Sequence, residues 1–169
     1  VGYQGISKLV DFGVAKANSA NIYTKPGVLK GKFGYMAPEH VQHKKLDSRA
    51  DVFSLGVVLH ELLTGQRLFK EPTLAAVIRS LMEKEPVAPS SVNPDVPPAL
   101  DAIVAESLAK DRDQRTQSSA RVREQLEELL AEVGTTSHQD VADWMQGTFS
   151  ERRQRRMTME REVVIAGRE

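Results

Sequence analysis

Cysteine is absent from the 169 residues, which excludes disulfides and thiolate metal sites. The sequence also lacks a charge imbalance, because 23 Lys and Arg balance 23 Asp and Glu and create no overall field for nucleic acid. Long hydrophobic runs are missing too, since the longest, residues 52–63, is short and interrupted by polar side chains. These absences predict a chain without nucleic-acid partners or a membrane segment, with the cytoplasm as its default location.

What is present is the composition of a globular domain. Hydrophobic residues make up 40% of the chain and charged residues 27%, which is enough to build a core. The chain begins with Val1 rather than methionine, inside a segment that reads as a strand. That beginning favours a fragment, a processed product or an incomplete gene model.

Local patterns predict a mostly α-helical fold with one small β-hairpin near its start. Residues 1–3 and 6–10 read as short strands around a glycine turn. The clearest helix begins at Ser48, with Asp51 placed for a capping box, and apolar residues over most of its circumference predict that it is buried. Further helices are predicted over residues 73–84, with Thr73 as the cap, 98–110 and 118–134.

The motif Asp11-Phe12-Gly13 ends the second predicted strand. An acid placed there offers a hard oxygen ligand, and magnesium bound with phosphate is usually held by one or two carboxylates. Phe12 can equally be a core residue, and three residues in this order also occur by chance. The motif alone is therefore compatible with a plain strand end as well as with a metal site.

Three further motifs follow in order and change that assessment. They are Gly34-Tyr35-Met36-Ala37-Pro38-Glu39 after a long polar loop, Asp51-Val52-Phe53-Ser54-Leu55-Gly56 in the apolar helix, and Lys110-Asp111-Arg112-Asp113-Gln114-Arg115 after the third helix. With the first motif in front, the series resembles the protein kinase family, and bacterial serine/threonine kinases in particular, over about residues 1–133. The resemblance implies the helical C-terminal lobe of a kinase.

The resemblance implies that the first motif belongs to a nucleotide site. Asp11 is implied to hold a magnesium ion that bridges the phosphates of ATP, and Phe12 and Gly13 lie beside it. Behind them, residues 18–30 are implied to form the activation segment, where an added phosphate orders the loop by pairing with arginine.

Candidate phosphorylation sites in that segment are Thr24 first, then Tyr23 and Ser19, and an unmodified solvated hydroxyl remains the alternative. The substrate loop that follows is implied to contain three residues: Lys32, Gly34 and Tyr35. Serine/threonine kinases usually carry Gly-Thr where this chain has a glycine and Lys32, so the choice between serine/threonine and tyrosine substrates stays open.

Three residues are implied to be structural. Glu39 and Arg115 resemble a buried ion pair that fastens the end of the activation segment to the helical lobe. Asp51 resembles the acid that accepts hydrogen bonds from the backbone of the catalytic loop. A favourable negative charge at a helix N-terminus explains Asp51 equally well.

Several parts of a kinase are missing from the sequence. There is no glycine-rich loop, no paired strand lysine, and no His-Arg-Asp tripeptide to supply the base aspartate. We therefore expect the C-terminal lobe alone, at residues 1–133, followed by a helical, arginine-rich tail at 134–169. The chain alone is expected to be inactive, although the intact parent, with its N-terminal lobe, ATP and Mg²⁺, would phosphorylate protein serine or threonine.

A different class of function fits the same motifs. A helical lobe without the catalytic parts can serve as a non-catalytic module that docks protein substrates or a partner kinase. An exposed apolar surface would favour that reading.

Overall fold

The structure is a computed structural model that describes residues 1–10, 33–134, 136–152, 154–155 and 157–159. The chain divides into two compact units, Ala20–Val133 and a second unit formed by Val1–Ser19 together with Gly134–Glu169. No helix in the described ranges is long and apolar enough to cross a membrane. The described residues are mostly helical, as the sequence predicts, and the predicted domain division at residue 133 stays a prediction.

The unit Ala20–Val133 contains a short 3-10 turn and six of the described helices. In chain order the elements are the 3-10 turn Phe33–Tyr35, α1 (Pro38–Val41), α2 (Arg49–Thr64), α3 (Leu74–Glu83), α4 (Pro89–Val92), α5 (Ala99–Ser107) and α6 (Ser119–Val133). The predicted cap of α3 is confirmed, because the Thr73 side chain accepts a hydrogen bond from the backbone N–H of Ala76 at 3.2 Å.

The helix α2 lies at the centre of this unit and packs against α4, α5, α6 and the 3-10 turn. Phe53 and Val57 belong to one buried cluster, and Val52 belongs to a second one formed with α5 and α6. The predicted burial of α2 therefore holds on most sides. It fails along one stripe, because Leu55, Val58 and Leu62 are 40%, 41% and 76% exposed.

Close packing of α2 on α5 depends on Gly56. A Cβ at this position would lie 2.9 Å from the Cβ of Ser107 and 3.1 Å from the Cγ of Leu108. Such distances are shorter than side chains tolerate, so the absence of a side chain lets the two helices approach.

The beginning of α2 differs from the prediction. Ser48 has helical backbone angles and its side chain makes no capping hydrogen bond, so the predicted capping box with Asp51 is wrong. The Asp47 carboxylate provides the hydrogen bond to the start of the helix instead. It accepts from the backbone N–H of Arg49 at 3.0 Å and forms an ion pair with the Arg49 guanidinium at 2.8 Å. These hydrogen bonds and charges lower the pKa of Asp47 and keep its carboxylate ionised.

The second unit begins with a turn instead of the predicted hairpin. The backbone N–H of Gly2 donates to the carbonyl of Ile6 and that of Gly5 donates to Gly2, both at 2.9 Å, but residues 1–10 contain no strand. A pair of very short strands is marginal without further packing, and Leu9 and Val10 are 82% and 75% exposed.

The rest of the described second unit is helical. It contains α7 (His138–Thr148), which starts with a capping box between Ser137 and Asp140, and helical residues among 150–159. Hydrogen bonds from Ser137 lower the pKa of Asp140. Trp144 in α7 is 61% exposed and contacts Phe149 edge to face.

Candidate functional site

The structure brings Glu39 and Arg115 together in the interior. The short helix α1 holds Glu39, and Arg115 follows α5 at the end of the last kinase-like motif. The two guanidinium NH groups of Arg115 donate to the two carboxylate oxygens of Glu39, at 2.7 and 3.0 Å. Both side chains are almost fully buried, so the pair forms a two-pronged bridge shielded from water.

The remaining donors of Arg115 are also used. Its Nε donates to the carbonyl of Ala109 at 2.9 Å, and one of its terminal nitrogens donates to the carbonyl of Arg49 at 2.7 Å. The guanidinium carbon lies 5.1 Å from the centre of the Phe53 ring, a cation–π geometry. Burial has the largest single effect and opposes ionisation of Glu39, but the hydrogen bonds from Arg115, a backbone hydrogen bond and the Arg115 charge together outweigh it and lower the pKa of Glu39.

A second polar cluster fixes the 3-10 turn to α2. The Tyr35 hydroxyl donates to Glu61 Oε2 at 2.8 Å, and the Ser54 hydroxyl donates to the carbonyl of Tyr35 at 2.7 Å. The other oxygen of Glu61 accepts from the backbone N–H of Leu68 at 3.1 Å. Glu61 therefore joins the segment before α1 to the segment after α2.

Gly34 is buried beside this cluster. A Cβ on Gly34 would lie 3.0 Å from the carbonyl oxygen of Phe69, so a side chain would push the two backbones apart. Gly34 and Tyr35, which the resemblance assigns to the substrate loop, are thus held against the helical core.

An open hollow lies next to Tyr35 and Glu61. Its other walls come from the last turns of α2 and the residues that follow, including Val58, Leu62 and Arg67. The hollow combines apolar side chains with one acidic and one basic group, which suits contact with a peptide better than enclosure of a small molecule.

All of the predicted nucleotide and activation residues lie outside the described residues, namely Asp11, Phe12, Gly13, Ser19, Tyr23 and Thr24, and so does Lys32 of the predicted substrate loop. Asp51 is described, and it is exposed in the first turn of α2. Within the described ranges, no three His, Asp or Glu side chains come together as a metal site. Glu61 was not predicted as a functional residue, although an acid within the apolar run of α2 is the signal that could have identified it.

Comparison with known proteins decides the family. A family model described as a protein kinase domain matches residues 2–163. The chain belongs to the protein kinase family. The resemblance drawn from the four motifs is thereby confirmed, and the match continues past residue 133.

The chain is similar to several curated bacterial kinases. It is 38% identical over 152 residues to the tyrosine-protein kinase MasK of Myxococcus xanthus, covering 89% of this chain and 24% of MasK. It is 40% identical over 121 residues to the serine/threonine-protein kinase PknB of Mycolicibacterium smegmatis, covering 70% of this chain and 19% of PknB. It is also 40% identical over 126 residues to the serine/threonine-protein kinase Pkn1 of Myxococcus xanthus, covering 74% of this chain and 18% of Pkn1. The chain thus spans a quarter or less of the length of these relatives.

The contact between Tyr35 and Glu61 predicts opposite effects of two substitutions. The hydrogen bond to Glu61, burial and the Glu61 charge together raise the pKa of Tyr35, and Arg67 lowers it. Glu61→Gln should therefore lower the pKa of Tyr35 towards its usual value, whereas Arg67→Gln should raise it further. Ultraviolet titration of the tyrosinates measures both shifts.

Tyr35→Phe identifies the signal of Tyr35 among the three tyrosines. Shifts in the same direction for Glu61→Gln and Arg67→Gln would show that Tyr35 does not lie near these two charges in solution.

Proposed function

We propose that this chain is the C-terminal lobe of a serine/threonine protein kinase whose intact form transfers the γ-phosphate of ATP to protein hydroxyls. The buried bridge between Glu39 and Arg115 carries the proposal. It fastens the segment that follows the predicted activation loop to the helical core, which is the arrangement a kinase needs in order to present a substrate loop from a rigid base. The family membership adds to this support.

In this proposal Asp11 would hold a magnesium ion for the phosphates of ATP, and Phe12 and Gly13 follow it in the same motif. Thr24, Tyr23 or Ser19 receives the activating phosphate, and the loop with Lys32 receives the substrate. Mg²⁺ and ATP together would supply the charge neutralisation and the phosphoryl group. Asp11 would contribute an oxygen ligand, and Gly34 and Tyr35 would position the polypeptide substrate.

Serine or threonine is the proposed substrate hydroxyl, because PknB and Pkn1 are serine/threonine-protein kinases. The tyrosine-protein kinase MasK and the lysine at position 32 support tyrosine as the runner-up. Phosphoamino-acid analysis of the product would separate the two. The cytoplasm is the proposed location.

The 169 residues alone are proposed to be inactive. They contain no His-Arg-Asp tripeptide and no glycine-rich loop, so they supply neither the catalytic base nor the cover over the phosphates. A second candidate function follows from that, a non-catalytic docking module for a protein substrate or partner kinase. The observation that favours it is the exposed apolar stripe formed by Leu55, Val58 and Leu62 on α2.

An assay with labelled ATP, magnesium and a general protein substrate tests the proposal. We expect label transfer at the level of a mock preparation for the 169-residue chain, because the base is missing. Transfer above that level would contradict the proposed inactivity.

The in-frame coding sequence upstream of Val1 provides the second half of the test. If it encodes a His-Arg-Asp motif, the longer protein should transfer label, and Asp11→Asn should reduce transfer to background. Asp143→Asn, which neutralises an exposed carboxylate in α7, is the matched control and should keep full transfer. A longer protein that binds protein partners but never transfers label would favour the docking module.

A further inference from the structure

The hollow beside Tyr35 has room for a short piece of a bound peptide. Its volume is about 320 Å³, near the lower end of the range for ligand pockets. Val58 and Leu62 form its apolar part, and they are 41% and 76% exposed. Exposed apolar surface gains free energy when another apolar side chain covers it. The hollow is therefore a place where an apolar side chain of a partner can be buried.

The acidic group of the hollow is already engaged by the protein itself. Glu61 Oε2 accepts from the Tyr35 hydroxyl at 2.8 Å, and Glu61 Oε1 accepts from the backbone N–H of Leu68 at 3.1 Å. A cation on a ligand would have to share these two oxygens with the donors that hold them in place. The carboxylate therefore serves mainly to join the walls of the hollow.

The basic group of the hollow is available to a ligand. Arg67 is exposed, and in the part of the chain that the structure describes its guanidinium makes no hydrogen bond and no ion pair. The hydrogen bond to Glu61 is the main cause that raises the pKa of Tyr35, and the Arg67 charge opposes this rise, so Arg67 lies near the Tyr35 hydroxyl. Because a guanidinium matches a carboxylate with two N–H donors, Arg67 favours a ligand with negative charge.

The backbone on both sides of Arg67 is held in place. The backbone N–H of Gln66 donates to the Thr64 hydroxyl at 3.2 Å, and the carbonyl of Leu68 accepts from Lys84 Nζ at 2.7 Å. Leu68 is bound a second time through its own N–H. A recognition group on a fixed backbone has less freedom to lose when a ligand binds. The segment that carries Arg67 is thus prepared for binding.

We propose that this hollow docks a protein segment in which an apolar side chain lies next to an aspartate or a glutamate. The apolar side chain covers Val58 and Leu62, and the carboxylate pairs with the Arg67 guanidinium. The docking depends only on the contacts described. The assignment of the docked segment to a kinase substrate or partner rests on the proposed function.

Nuclear magnetic resonance of the 169-residue chain, titrated with short peptides, tests the docking. The first peptide carries one leucine followed by one glutamate in a neutral glycine–serine background. Its saturable shifts should be confined to the signals of Tyr35, Val58, Leu62, Arg67 and their neighbours. Two matched peptides replace the glutamate by lysine or the leucine by serine. Each should bind about fivefold more weakly or worse, because one loses the ion pair and the other the apolar contact.

Substitutions in the protein make the test specific to Arg67. Arg67→Gln should weaken binding of the glutamate peptide about three- to fivefold, as expected for an exposed ion pair. Arg67→Glu should reverse the preference, so that the lysine peptide binds more tightly than the glutamate peptide. Arg79→Gln is the matched control, because Arg79 in α3 is also exposed and does not line the hollow. It should leave the affinity unchanged.

Three results would overturn the docking site. Tighter binding of the lysine peptide to the unaltered chain would make Glu61 the recognition group. Equal losses for Arg67→Gln and Arg79→Gln would show only a general attraction between charges. Shifts of Val58 and Leu62 that follow the concentration of the chain, with no response to peptide, would assign the hollow to a second copy of the chain.

The docking site and the proposed kinase function can fail separately. If the glutamate peptide binds as expected but the longer protein never transfers label, the docking site stands and the kinase activity fails. If the longer protein transfers label but the peptide causes no shift in the hollow, the activity stands and the docking site fails.

Discussion

Arg115→Met should destabilise the unit Ala20–Val133 by about 3–5 kcal/mol, because it leaves the buried carboxylate of Glu39 without its partner. The substitution removes both hydrogen bonds to Glu39 and the donors to the carbonyls of Ala109 and Arg49. Methionine has a similar volume, so the lost charge pairing accounts for most of the effect. Urea unfolding followed by far-ultraviolet circular dichroism measures the change, since the only tryptophan lies in α7.

Three further variants make this test specific. Arg115→Lys keeps the charge but not the two-pronged geometry, so it should still lose a large part of the stability. Adding Glu39→Gln to Arg115→Met should recover part of the loss, since no buried charge remains. Arg121→Met removes a pair with Glu124 in which both side chains are about half exposed, and it should cost less than about 1 kcal/mol. Equal losses for Arg115→Met and Arg121→Met would contradict the buried bridge.

Phe53→Ala should cost the same unit about 3–5 kcal/mol, because it opens a cavity at the centre of the core. Phe53 is 1% exposed, and its ring lies nearly parallel to that of Phe69 with the centroids 6.3 Å apart. The substitution also removes the aromatic face under Arg115. The loss should therefore appear in the same unfolding transition as that of Arg115→Met, with a lowered midpoint.

Leu62→Ala is the control on the same helix. Leu62 is 76% exposed, so its truncation should change stability by less than about 0.5 kcal/mol. Phe53→Leu should fall between the two because it keeps most of the buried volume. A loss for Leu62→Ala as large as that for Phe53→Ala would mean that the exposed stripe of α2 is covered in solution.

The sequence predicted the helices of the first unit well, because their apolar residues recur with helical spacing and their ends carry recognisable signals. Thr73 at the start of α3 and the glycine after α2 are examples, since Gly65 adopts the left-handed conformation that ends helices. The order of four motifs identified the family. The contact between Glu39 and Arg115 could be anticipated only through that resemblance, since the two residues are 76 positions apart.

The errors arose where neighbours in space decide between local alternatives. Ser48 and Asp47 are both good caps, and Asp47 prevails because it also pairs with Arg49. The strands of the predicted hairpin fail because Leu9 and Val10 have no surface to pack on.

The role of Glu61 could not be predicted from spacing. Its three-way contact with Tyr35 and Leu68 depends on how the chain returns after α2, which no local pattern encodes. Its isolation among apolar residues was the available signal, but a solvent-facing position would have looked the same in the sequence.

The separation of Glu39 and Arg115 along the chain also bears on the order of folding. Glu39 and Arg115 are 76 positions apart, so their bridge closes a long loop. Closing a loop of this length costs conformational entropy before the bridge can stabilise the fold. Local helices should consequently assemble first and the bridge last, so that its rupture is an early step of unfolding. The segments that contain Glu39 and Arg115 therefore depend on each other without a covalent link, because the Arg115 guanidinium joins them.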